Sequence, residues 1–123
     1  METFELNNKK YKVFEIEAFG NKEKVIIIPE KYLVGNILDL MVFSLYEDPV
    51  SQQICPEAFG VLTVNLRNMH PDKGFSYVKN YSENSGWAED LAQKIGGRDT
   101  GKSAQTGFVT VPLYDFTKID IYA

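Results

Sequence analysis

The chain has 123 residues, 44% of them hydrophobic, 24% charged and 13% aromatic. That is the size of one domain, expected to span 1–123, with enough apolar material for a real core and too much of it for disorder. Residues 1–31 balance their acids and bases, so the remainder carries the whole net charge of −4; with no basic block, direct nucleic-acid binding is not expected.

"TFEL" (3–6) reads as a short strand and "NNKK" as a turn. "YKVFEIEAF" (11–19) alternates, with Phe14, Ile16 and Ala18 on one face and Glu15 and Glu17 on the other. "GNKEK" is a turn built on Gly20 and Asn21. The β-branched run "VIII" (25–28) predicts a strand covered on both faces, ended by Pro29. "NILDLMVFSLYED" (36–48) is long enough for a helix, but its alternation favours a strand. "DPVSQQICPEAFG" reads as a loop with two prolines.

"VLTVNLR" (61–67) is the clearest strand, with Leu62, Val64 and Leu66 on one face. "NMHPDKG" is a connection, and "FSYVKNY" (75–81) a further strand. The one good helix is "SGWAEDLAQKIGG", capped by Ser85 or Asn84 and stopped by Gly96 and Gly97. Its apolar stripe is Trp87, Ala88, Leu91, Ala92 and Ile95. A polar loop is expected from about Gly96 to Gly107, then a strand "FVTVPLYDF" (108–116), with "KIDIY" as one more. The expectation is an α+β fold: an antiparallel sheet of about five to six strands, with one main helix (about 85–96) packed on one face.

"GGRDTGKS" (96–103) fits the G-x-x-x-x-G-K-[ST] pattern through Gly96, Gly101, Lys102 and Ser103. A working phosphate loop follows a strand and opens a helix, whose N-terminal N–H groups face the phosphates. Here the helix comes first, so its C-terminal carbonyls lie nearest the loop. The match is read as false, with no nucleotide site and no cofactor.

Cys55 and His70 are the lone cysteine and histidine, and nothing in their spacing makes them a nucleophile–base pair. They are too few for a zinc site, so no metal is expected. Glu89–Asp90 suits a helix dipole and Glu47–Asp48 a turn, and neither pair is assigned acid–base work. No catalytic residue is named, and the chain is read as a non-enzyme. The N-terminal stretch has no signal-peptide pattern and no run is long enough to span a bilayer, so a cytoplasmic location without membrane attachment is expected.

In "GFVTVPLYDF", Phe108, Pro112, Tyr114 and Phe116 share one face, and Pro112 favours an edge strand or a bulge. These four residues are the candidate partner-binding surface, for another protein or a second copy. The other possibility is that the helix or the long loop covers that face.

The helix "GWAEDLAQKIGG", the strand "LTVNL" (62–66) and the run "TGFVTVPLYDF" together resemble a bacterial family of small proteins of unknown function. Its members are encoded on conjugative and other mobile elements of gut Firmicutes and relatives. Gly107, Phe108, Pro112, Leu113, Tyr114, Asp115 and Phe116 match that family's pattern, whereas Thr106 and Val111 depart from it. The resemblance implies a mobile-element accessory protein and brings no catalytic residues. The functions left open are a non-enzymatic protein-binding factor, an inhibitor of host defence of the antirestriction kind, and an enzyme whose site the sequence does not display.

Overall fold

The computed structural model describes residues 2–31, 38–66 and 69–123. Its first two turns follow from backbone handedness. Asn7 and Asn8, both at positive φ, join β1 (Thr3–Leu6) to β2 (Lys9–Lys12). Asparagine tolerates that conformation, and two such residues give a turn whose twist matches the strands. After Val13 the chain enters β3 (Phe14–Ala18), which returns through Phe19 and Gly20 into β4 (Asn21–Lys31). The turn expected over 20–24 therefore shrinks to Phe19–Gly20. Lys22 and Lys24 join the ladder opposite Glu17 and Glu15, a favourable cross-strand charge arrangement.

β4 passes through Pro29 instead of ending there, and pairs with β5 (Leu38–Glu47). The reason is local: β3 pairs only with Asn21–Val25 of β4, so no β3 ladder bond is lost at Pro29. The strand expected over 36–48 is realised in its described part. The loop expected after Asp48 is mostly strand: β6 (Ile54–Val61) pairs with β5 and forms the sheet edge. An edge position tolerates Pro56. Only residues 48–53 turn, held by Asp48, whose side chain accepts from Val50 N at 2.9 Å.

The strand expected over 61–67 is divided between two sheets at Leu62. Its N–H donates to Leu40 O at 2.8 Å, and its carbonyl accepts from Lys79 N at 2.9 Å. Beyond it, β7 (Thr63–Val64) pairs with β8 (Phe75–Val78). Leu62 thus joins the main core, while Val64 and Leu66 belong to a second cluster. The expected common face for the three is corrected by this switch.

A 3-10 turn (Ser82–Asn84) leads to α1 (Ala88–Lys94). The N-cap position is Trp87, with no side-chain cap, so neither Ser85 nor Asn84 has the expected role. The apolar stripe is as expected: Trp87, Ala88, Leu91, Ala92 and Ile95 are all buried. The stop is also as expected. Gly96 N donates to Gln93 O and Gly97 N to Ala92 O, the paired bonds of a glycine-terminated helix.

The polar loop expected over 96–107 is β9 (Arg98–Thr106), which turns at Gly107–Phe108 into β10 (Val109–Asp115). "KIDIY" forms no strand; its Tyr122 makes one isolated bridge with Tyr11. Strands dominate and every pairing is antiparallel, with one α-helix among the described residues. The single sheet of five to six strands is replaced by three: β1-β2, β3-β4-β5-β6 and β7-β8-β10-β9. The helix touches β3 as well as β8 and β9. Its stripe joins Ile16, Val25, Ile27 and Val42 of one four-stranded sheet to Val78 and Tyr114 of the other in one core.

Phe19 lies at the β3–β4 turn and Phe59 on β6, two strands away in sheet order. Their rings nevertheless sit 6.1 Å apart, centre to centre.

Candidate functional site

The four residues of the expected docking surface do not stay together. Alternation along β10 is as read, but α1 covers the aromatic face. Tyr114 is fully buried and Phe116 nearly so, both within the main core. Their rings stack at 5.8 Å. The Tyr114 hydroxyl donates to Glu89 Oε1 at 3.1 Å and accepts from Gln93 Nε2 at 3.2 Å. Burial pushes this hydroxyl above its ordinary pKa, so it stays a neutral donor that fastens the helix to β10. Pro112 is half-buried beside a register shift. Phe108 alone is fully exposed, at the hairpin tip. A surface made of all four is ruled out by this burial.

The "GGRDTGKS" stretch lies on an edge strand, with no helix after it. Pro112 opposes Ser103 and Tyr114 opposes Asp99, so residues 100–102 bulge. Gly101 takes a left-handed conformation there, and its N–H donates to Asp99 Oδ1 at 2.9 Å. Thr100 Oγ1 accepts from Lys102 N and donates to Leu113 O. The local N–H groups are turned into the strand's own bulge. Arg98, Thr100 and Lys102 instead border an open groove of about 280 Å³ with Asp72, Phe75 and Leu113.

Cys55 lies on β6 opposite Tyr46 and is half-buried, while His70 is exposed between β7 and β8. Glu89 serves Tyr114, and Asp90 pairs with Lys94 at 3.0 Å. Among the described residues no group of three His, Cys, Asp or Glu side chains is placed to hold a metal ion. No helix among them is long and apolar enough to cross a membrane.

The residues that stand out are ones the sequence reading passed over. Phe19 has φ +55° and is 71% exposed. A left-handed backbone is uncommon for a bulky side chain, and such positions recur where a side chain is presented for use. Its ring touches Phe59, half-buried on β6. Phe59 in turn meets Trp87 edge-on at 5.2 Å, deep in the core. The three form a ladder from solvent to core.

Beside the ladder, Asn84 is fully buried. Its Nδ2 donates to Val61 O at 2.7 Å, but Oδ1 has no hydrogen-bond partner among the described residues. A Cβ built on Gly60 would lie 3.5 Å from Trp87 and 3.6 Å from that oxygen, ordinary contact distances, so β6 packs beside both. The only sequence cue was a phenylalanine in "AFGN" where a turn residue is expected.

No family model matches the chain, and no curated protein or solved structure matches it either.

Proposed function

We propose that this chain is a non-enzymatic protein-binding accessory factor that contacts its partner through exposed aromatic tips, Phe19 first and Phe108 second. The observation that carries the reading is Phe19: a phenylalanine held in a left-handed turn, mostly in solvent, and braced from behind by Phe59 and Trp87. A rigid, supported aromatic loses little freedom on docking, which is why such residues act as interface anchors. The likeness of "TGFVTVPLYDF" to mobile-element proteins supports a bacterial, cytoplasmic setting for that factor.

The test is affinity capture from bacterial lysate with the tagged chain, its Phe19→Asn variant and its Phe108→Asn variant. Asparagine suits a left-handed turn, so Phe19→Asn relieves strain while losing one ring contact. Its stability is expected to stay within about 0.5 kcal/mol of the parent. One specific partner, reduced at least tenfold by a variant that melts normally, is the expected result. A partner retained by both variants, or none in repeated captures, overturns the reading. A restriction or nuclease subunit as the partner would narrow it to a defence inhibitor.

A further inference from the structure

Resting on that protein-binding reading, we propose that the free edge of β6 takes up an extended, basic and apolar segment of the partner as an added strand. The β3–β6 sheet has two edges, and the chain treats them differently. On the β3 edge, Lys94 reaches across from α1 and donates to Glu15 O at 2.7 Å, with Asp90 holding the same ammonium at 3.0 Å. A lysine laid on an edge is a recognised block to strand addition. On the β6 edge no described strand pairs with the outer side; Asn84 Nδ2 takes Val61 O at its C-terminal end, so the stretch offered is Ile54–Phe59.

Exposed apolar side chains gather at this second edge. Of the seven large hydrophobic residues exposed among those described, Tyr46, Val50 and Ile54 lie on the β5–β6 hairpin. A fourth, Phe19, leans on Phe59 of β6. Registration against β5 sorts the faces. Ile54, Pro56 and Ala58 oppose Glu47, Leu45 and Phe43, while Cys55 and Glu57 oppose Tyr46 and Ser44. Directly opposed residues share a face. An added strand would therefore lay one set of side chains along Ile54, Pro56 and Ala58. Its alternate set would meet Glu57 and the Phe59–Phe19 pair.

Charge selects the partner. Glu47, Asp48 and Glu57 all lie on this hairpin, Glu57 on the Cys55 face and Glu47 on the Ile54 face, and none of them forms an ion pair among the described residues. A lysine or arginine facing Glu57 is favoured. A second copy paired antiparallel about Glu57 would bring acid against acid, which is unfavourable across a strand pair. Pro56 removes one donor from the ladder and restrains indiscriminate pairing. The fitting segment alternates apolar residues with basic and apolar ones in turn.

The probe is a blocked eight-residue peptide alternating valine with lysine and leucine. Its control carries glutamate in place of lysine. Binding is followed by backbone amide shifts and by the fluorescence of Trp87, the only tryptophan. The lysine peptide is expected to shift the amides of Ile54–Phe59 and Phe19, and to bind at least tenfold tighter than the control. Glu57→Lys, a change at an exposed position, is expected to abolish that preference. Phe19→Asn is expected to weaken binding at least fivefold with its melting temperature unchanged. Equal affinity for the two peptides, or no shifts up to millimolar peptide, overturns the β6 proposal. Shifts confined to β9 and Phe108 overturn it too while leaving the protein-binding reading intact. That broader reading falls only on its own test, when lysate capture yields no partner or one that both variants retain.

Discussion

Gly97 and Phe116 lie so close together that no side chain fits between them. A Cβ on Gly97 would stand 2.8 Å from Phe116 Cε1 and 2.6 Å from Ala92 O. The helix ends here, and the chain must pass directly over the second core aromatic to start β9. Gly97→Ala is expected to destabilise the fold by about 1–3 kcal/mol, the usual cost of forcing atoms into a packed core. Gly60→Ala is the control, since its Cβ would make only ordinary contacts, at 3.5 Å or more. Urea denaturation of both variants checks the pair. Equal midpoints would disprove the close-approach account.

Asp115 gathers three donors. Thr117 Oγ1 and Thr117 N reach Oδ1 at 2.6 and 2.8 Å, and Arg98 reaches Oδ2 at 3.0 Å. These bonds, the Thr117 hydroxyl foremost, hold its pKa down at about 2 against an ordinary 3.8. A depressed carboxylate stabilises the fold above its unfolded pKa, and that contribution is lost as pH falls through the folded value. Asp115→Asn is therefore expected to lower the melting temperature at neutral pH. The gap to the parent should close between about pH 3.8 and pH 2. A gap that persists unchanged at pH 2 would contradict the hydrogen-bond account.

The bulge at 100–102 makes a prediction about nucleotides. Gly101 and Lys102 give their N–H groups to Asp99 and Thr100, and the nearest helix end is a C-terminus. ATP with magnesium is expected to leave the melting temperature unchanged, in the parent and in Lys102→Ala alike. A reproducible rise of several degrees, abolished by Lys102→Ala, would reinstate the phosphate loop.

Elements with a buried face were legible in the sequence. The stripe of α1 and the alternation of β5 and β10 appear in the structure as read, because half their residues are apolar at a fixed spacing. β6 and β9 were read as loops. Both are sheet edges, and β9 buries only Ala104, so neither carries a full hydrophobic period. Their pairing comes from neighbours far along the chain.

The candidate site was less legible. Tyr114 and Phe116 were placed on the correct face of β10, but nothing local to that strand says that α1 lies over it. Phe19 was missed because its importance rests on a left-handed φ and on contact with Phe59, forty residues later.

Local order along the chain was enough to set strand against helix, the glycine stop of α1 and the position of that helix ahead of the phosphate-loop match. Each depends on residues within a turn or two, through side-chain periodicity and backbone sterics. Tertiary structure alone decided the switch between the two four-stranded sheets at Leu62, the burial of the β10 aromatics and the exposure of Phe19. Those outcomes depend on which apolar faces meet, and burial is a property of surfaces brought together from distant parts of the chain.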